Sequence, residues 1–309
     1  MSAASILQPG EIEPPAGEIP FLHLPERSAI FRSRAARLRT LAQHHSLQDF
    51  LLFIANICDA QQAALNIFPA VPLPQEANLK LCREHGMPPL SVQSWQRHVS
   101  WQQALRKIAD RVKANATPTS REAIARLAQL DSTALETMAD AILVGNYQDL
   151  DLAVAPLVAA ALQVYWTHLV TALEPRSFGR SDIANLCPAC ASSPVASIVR
   201  TGGPEQGLRY LSCSLCGTQW HMVRAKCSNC DSTDGIHYYS IEGTSGAVKA
   251  ECCDKCGAYL KIVYMDKEPQ VDPIADDLAT LALDLMLDDS GKLRSGPNLF
   301  LMTVPDSAE

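Results

Sequence analysis

Eight cysteines in four CxxC pairs constrain this chain more than any other feature: Cys187/Cys190, Cys213/Cys216, Cys227/Cys230 and Cys253/Cys256. Between Cys190 and Cys213 lie 22 residues, and 22 again lie between Cys230 and Cys253. The second set is the first displaced by 40 positions, and Ser192/Ser232, Gly203/Gly243, Gly217/Gly257 and Val223/Val263 coincide under the same shift. Such a repeat marks an internal duplication. A CxxC turn lets two thiolates converge on one ion, and two such knuckles on neighbouring loops complete a tetrahedral four-sulfur site. Tandem duplication favours pairing in chain order over a cross-brace. The expected ligand sets are therefore Cys187, Cys190, Cys213 and Cys216, then Cys227, Cys230, Cys253 and Cys256, with one metal ion in each. Four thiolates suit zinc and equally iron in a rubredoxin-type site, and spacing does not choose between them.

The residues between the knuckles suit small hairpins. "ASIVR" and "LRYLS" flank the turn "TGGPEQG", "IHYYSI" and "AVKAE" flank "EGTSG", and "TQWHMVRAK" and "AYLKIVYM" read as third strands. Glycine eases the turn after the second cysteine of a knuckle. Gly217 and Gly257 occupy that place, whereas Ala191 and Asp231 make the other two turns less ideal. His221 reads as a sheet residue because each site already has four sulfurs. Cys252 alternates away from Cys253 on its strand and reads as unligated, Cys58 as core, and Cys82 is unassigned. Disulfides and a dithiol redox enzyme are weaker readings, since four equivalent pairs do not resemble one reactive thiol beside an activating fold.

The first half has a different character. "ERSAIFRSRAARLRTLAQHH" places Ile30, Phe31, Ala35, Leu38 and Leu41 near one helical face. Arg27, Arg32, Arg34, Arg37 and Arg39 fall on the other, expected to be a solvated face or a docking surface. Ser46 can cap a helix over "LQDFLLFIANICDAQQAAL", and "PQEANLKLCREHG" adds a short helix or a loop. Further helices are expected over 91–114, 120–130, 133–144 and 151–173, with Thr119 or Ser120 followed by Glu122 as the capping signal of the second. Beyond the cysteines, Asp272 can cap one last helix, "PIADDLATLALDLML", with Pro273 at its first position. The expected class is α+β: an all-helical N-terminal domain, two tandem rubredoxin-like or zinc-ribbon-like four-cysteine modules, and a C-terminal helix. The expected bounds are a flexible arm over 1–24, the helical domain over 25–180, ribbons over 181–225 and 226–266, and the C-terminal helix and tail over 267–309.

Charge and motifs narrow the function. A net charge of -7 offers no broad attraction to nucleic acid or to anionic lipid. Between Cys187 and Asp266, seven Lys and Arg face seven Asp and Glu, without the positive excess that phosphate binding needs. The opening "MSAASILQPGEIEPPAGEIP" has neither a basic start nor an apolar core, so no secretory signal is read there. "LAVAPLVAAALQVYW" contains Pro156 and Gln163 and is too short to span a bilayer, so it is expected to be a buried core helix. The expected compartment is the cytoplasm, where thiols stay reduced. No GxSxG, Walker, HExxH or dinucleotide motif is present, and a binding protein is a better expectation than an enzyme.

"LCPACASSPVASIV", "GLRYLSCSLCGTQWHMVRAKCSNC" and "AECCDKCGAYLKIVYM", followed by "DPIADDLATLALDLML", resemble the formate dehydrogenase accessory proteins, the FdhE family. The resemblance reaches upstream to "FRSRAARLRTLAQHHSLQDFLLFIANICDAQQ". It implies a non-enzymatic cytoplasmic assembly factor for respiratory formate dehydrogenases, whose molybdenum- or tungsten-pterin catalytic subunits mature before twin-arginine export. It also implies contact with those subunits and rubredoxin-like iron held by the eight paired cysteines. A redox or oxygen-sensing protein acting on that client, and a nucleic-acid-binding zinc ribbon, are the alternatives.

Overall fold

The computed structural model describes residues 19–181 and 183–302. Its first half is helical: α1 (Ile30–Leu41), α2 (Gln48–Asn66), α3 (Glu76–Glu84), α4 (Ser100–Lys113), α5 (Pro118–Gln129), α6 (Ser132–Val144) and α7 (Ala155–Thr171). Helix α7 is the hub, because every residue from Leu157 to Val170 is buried. A helix this apolar has to be surrounded, and α2, α4 and α6 pack around it. Among the described residues no helix is long and apolar enough to cross a membrane.

The cysteine half supplies strands β2 (Pro194–Val199), β3 (Arg209–Cys213), β4 (Gln219–His221), β5 (Ile236–Tyr239), β6 (Val248–Cys253) and β7 (Ala258–Tyr264). Each repeat forms an antiparallel ribbon, and together with the helices this gives the expected α+β class. The spacing did not show that the ribbons fuse. Strand β2 pairs in parallel with β7 (Ser197 with Ile262, Val199 with Tyr264), making one sheet that, with β1 (Leu22–His23) at its edge, is ordered β1-β4-β3-β2-β7-β6-β5. Across this seam, Arg209 and Glu251 form a buried ion pair at 2.7 Å.

Segments near both ends of the described residues join the sheet. Strand β1 (Leu22–His23) pairs with β4, Leu22 is buried, and the Tyr210 hydroxyl donates to the Pro20 carbonyl at 2.9 Å. Of the arm expected over 1–24, residues 1–18 lie outside the described residues, and residues 22–23 are a sheet edge instead. Strand β8 (Leu293–Arg294) adds to β7 in parallel.

Five local expectations change. The arginine face is neither free nor wholly solvated, since Arg34 and Arg37 are buried against Asp272 and Asp276. The expected last helix is two, α8 (Pro273–Leu278) and α9 (Leu281–Asp288). Asp272 caps the first as expected, accepting from the Ile274 and Ala275 amides. The break follows from outside competition for carbonyls: His45 contacts the Ala279 carbonyl at 2.9 Å, and Lys261 donates to those of Asp277 and Thr280. Helix α4 starts at Ser100 rather than near 91; the segment before it runs along a cysteine knuckle, the Leu90 and Val92 amides bonding to the Ala189 and Cys190 carbonyls. Finally, α5 is capped by Thr117, not Thr119 or Ser120, and α2 has no side-chain cap from Ser46.

Candidate metal centre

The knuckles lie where strands end. Cys187 and Cys190 precede β2, Cys213 closes β3, and Cys216 sits in the turn to β4. Cys227 and Cys230 precede β5, Cys253 closes β6, and Cys256 sits in the turn to β7. In the two knuckles before strands, the first cysteine's amide reaches forward: Cys187 N–H to the Ser192 carbonyl at 3.0 Å, and Cys227 N–H to the Ser232 carbonyl at 2.8 Å. The residue after the second cysteine is left-handed in all four knuckles: Ala191 (φ 64°), Gly217 (75°), Asp231 (62°) and Gly257 (69°). The turn geometry is thus kept even where glycine is absent, at a cost of about 1 kcal/mol or more each for Ala191 and Asp231.

The sulfurs converge in two groups. Cys187–Cys216, Cys190–Cys213 and Cys190–Cys216 have Sγ separations of 3.6, 3.5 and 3.6 Å. Cys227–Cys256 and Cys230–Cys253 are 3.8 and 3.7 Å apart. All four sulfurs of each group lie within 4.8 Å of one another. A tetrahedral ion with metal–sulfur bonds of about 2.3 Å has sulfur–sulfur edges of about 3.8 Å, so both groups fit one such ion. The two four-cysteine clusters can therefore hold two metal ions, and each draws its cysteines from one repeat.

Electrostatics point the same way. Burial pushes the Cys187 and Cys216 thiols well above their usual range. Burial opposes ionisation of Cys190 too, but hydrogen bonds from Cys187, Cys213 and Cys216 bring it well below. In the second cluster burial pushes Cys227 up to about 12. Burial also raises Cys256, but the Ala258 amide, the Asn229 side chain and neighbouring thiols reverse this and hold it at about 7. Four crowded thiols cannot all ionise on their own, and a bound cation removes that obstacle by displacing the protons.

The remaining cysteines stand apart from both clusters, and none among the described residues is disulfide-bonded. Cys58 is in the helical core, where burial raises its thiol to about 12. Cys252 packs with Tyr259, Leu283 and Leu287, and Cys82 is partly buried on α3. His221 is a half-buried β4 residue, edge-on to Tyr210 with ring centroids 5.6 Å apart.

Sequence reasoning missed the groups that fix the first cluster to the helical body. Gln163 on α7 donates to the Ser214 carbonyl at 2.8 Å, and the Thr167 hydroxyl donates to the Cys216 carbonyl at 3.3 Å. Gln61 completes the link by donating to the Gln163 side chain at 2.9 Å. The available signal was a glutamine inside an otherwise apolar run. Beside the first cluster, a groove of about 1320 Å³ opens between α6 and α9, with Val144, Leu285 and Leu293 exposing apolar side chains.

Comparisons with known proteins agree with one another along the chain. The family model described as FdhE, N-terminal, matches residues 19–181, FdhE, central domain, matches 186–224, and FdhE, C-terminal domain, matches 225–301. A relative named Protein FdhE homolog from Stutzerimonas stutzeri is 41% identical over 97% of this chain and 98% of its own length. Protein FdhE from Salmonella paratyphi B is 38% identical over 93% of this chain and 92% of its own. The crystal structure of the FdhE protein from Pseudomonas aeruginosa superposes with a TM-score of 0.80 at 37% identity, covering 92% of this chain and 99% of that one.

Proposed function

The chain belongs to the FdhE family of formate dehydrogenase accessory proteins, and on that premise we propose that it binds the immature catalytic subunit in the cytoplasm. It does so as a non-enzymatic assembly factor. Cys187, Cys190, Cys213 and Cys216 ligate one metal ion, and Cys227, Cys230, Cys253 and Cys256 ligate a second. The observation that carries this reading is the pairing of full-length family similarity with two sulfur tetrahedra on one fused sheet. A metal bound in either site would supply a fixed crosslink between ribbon strands and, if iron, a one-electron couple. The chain's own contribution is to orient the thiolates: the Leu215 and Cys216 amides donate to Cys213 Sγ, and the Asn229 amide donates to Cys227 Sγ.

The test is affinity capture of tagged protein from a cytoplasmic fraction. The formate dehydrogenase catalytic subunit is expected in the eluate, enriched when its cofactor supply is blocked. Absence of that subunit under both conditions contradicts the proposal, as does turnover of a small substrate by the purified chain with no client present.

The exposure of Cys230 supports a second reading, in which iron in the second cluster exchanges electrons with the client. Reversible bleaching of a visible thiolate–iron band is its expected signature. A colourless zinc-filled protein with full biological activity contradicts it.

A further inference from the structure

Under the 40-residue shift the two clusters superimpose in sequence but not in surroundings. In the first, Cys187, Cys190, Cys213 and Cys216 are all buried. In the second, Cys227 and Cys253 are buried, Cys256 is partly buried and Cys230 is exposed. The residues between the cysteines carry the same difference: Ala189 and Leu215 are buried, whereas their counterparts Asn229 and Lys255 are exposed. Among the described residues, the hydrogen bonds from the helical body reach the first pair of knuckles, through Gln163, Thr167, Leu90 and Val92, whereas the second pair is tied to the C-terminal segment by the Lys292–Asp254 pair and the Leu293 amide on the Gly257 carbonyl. Thr218 adds a hydroxyl 3.2 Å from Cys216 Sγ, where the second repeat has Ala258.

We propose that the duplication has divided labour. The first cluster is a locked structural site. The second is the exchange site, opened from the Cys230 side, at which metal enters and leaves and an outside thiolate or chelating nitrogen reaches the ion. This rests on the reading that both clusters bind metal. In the exchange step the incoming donor forms its bond to the metal as the metal–Cys230 bond breaks. Cys230 departs with its electron pair and takes a proton from water, and the oxidation state of the metal is unchanged. The buried site offers no such path: all four of its cysteines are fully buried, the adjoining groove does not reach their sulfurs, and exposing them requires a sub-global opening.

The experiment is release of zinc from the reconstituted full-length protein to the chelator 4-(2-pyridylazo)resorcinol, under reducing conditions. One equivalent is expected to leave fast and the second about a hundredfold more slowly, as expected when release waits on sub-global opening. Cys230→Ser should weaken the second site alone, so that its equivalent is lost on reconstitution or leaves faster than in wild type, and leave the slow phase unchanged. Asn229→Ala removes an amide 3.7 Å from Cys256 Sγ, and should accelerate the fast phase alone, by about tenfold. Release of both equivalents at one rate overturns the proposal. So does a fast phase that either Cys230→Ser or Asn229→Ala leaves unaltered. A preparation that accepts a single equivalent supports the proposal if Cys230→Ser retains that equivalent and contradicts it if the equivalent is lost. Protein that binds no zinc after reconstitution defeats the metal-binding reading itself, which separates the two failures.

Discussion

Replacing Arg37 by Met tests how the C-terminal segment is held to the body. Arg37 on α1 reaches Asp276 on α8 across 239 residues of sequence, with Nε at 3.0 Å from Oδ2 and Nη2 at 2.6 Å from Oδ1. The exposures are 8% and 2%, so the pair is largely desolvated. Two unit charges about 4 Å apart at an effective dielectric of about 20 attract by ~4 kcal/mol. Removing one member of a buried pair leaves the other uncompensated, which typically costs about 3–5 kcal/mol. Arg37→Met should therefore lower the free energy of urea unfolding by about 3–5 kcal/mol at neutral pH with an unchanged m-value. Arg37→Met combined with Asp276→Leu should recover most of the loss, because the buried orphaned charge is gone and Glu268, the second partner of Arg37 at 3.2 Å, is 34% exposed and stays hydrated. About 1 kcal/mol should remain, since Asp276 Oδ2 also accepts the Asp272 amide at 2.8 Å. The sign with pH is also set. Burial raises the Asp276 carboxyl despite Arg37, and without the guanidinium it rises further, so the penalty is greatest at neutral pH and shrinks as pH falls and Asp276 protonates in the folded state. A single-mutant loss below about 1 kcal/mol, or a double mutant no better than the single, refutes the argument that this is a desolvated pair.

Gln163→Leu should cost about 1–3 kcal/mol, read as a lower urea midpoint, because the Ser214 carbonyl loses its buried donor. Ala191→Gly should stabilise the first knuckle by up to about 1 kcal/mol by removing left-handed strain. Gly257→Ala should destabilise by about 1 kcal/mol through φ alone, since an added Cβ there meets nothing within 4 Å; thermal melting checks both. His168 is buried against Phe68 beside Arg27, and burial first, then that charge, lowers its imidazole to about 4. The unfolded chain takes up this proton near pH 6.5 while the folded one does not, so stability is complete above about 6.5 and falls as the pH drops toward 4. His168→Phe should flatten that part of the stability–pH profile relative to wild type.

The parts of this fold that were legible in the sequence are those whose cause is local or repeated. A CxxC turn, a 22-residue spacing and its recurrence carry both clusters, and the predominantly apolar run of α7 marks a buried core helix. Other features depend on partners that spacing cannot name. Arg34 and Arg37 look like solvent-facing residues until α8 brings Asp272 and Asp276 beside them. Residues 91–99 are expected from their sequence to continue α4, yet this segment lies along a knuckle whose carbonyls take the amides at 90 and 92. The parallel β2–β7 seam joins two units that look separable, because its pairing is non-local. The difference in exposure between the clusters was written at Leu215 and Lys255, but only the position of the helical body shows what each residue faces.

Whether this metal-ribbon protein matures formate dehydrogenase through its cysteine clusters is decided in the cell. Formate dehydrogenase activity and catalytic-subunit abundance would be measured in membranes of a deletion strain complemented with wild type or with Cys227→Ser/Cys230→Ser. Deletion should abolish activity while the subunit is still synthesised, wild type should restore it, and the folded double variant should not. Unchanged activity in the deletion strain, or full rescue by the variant, contradicts a maturation role exercised through the clusters.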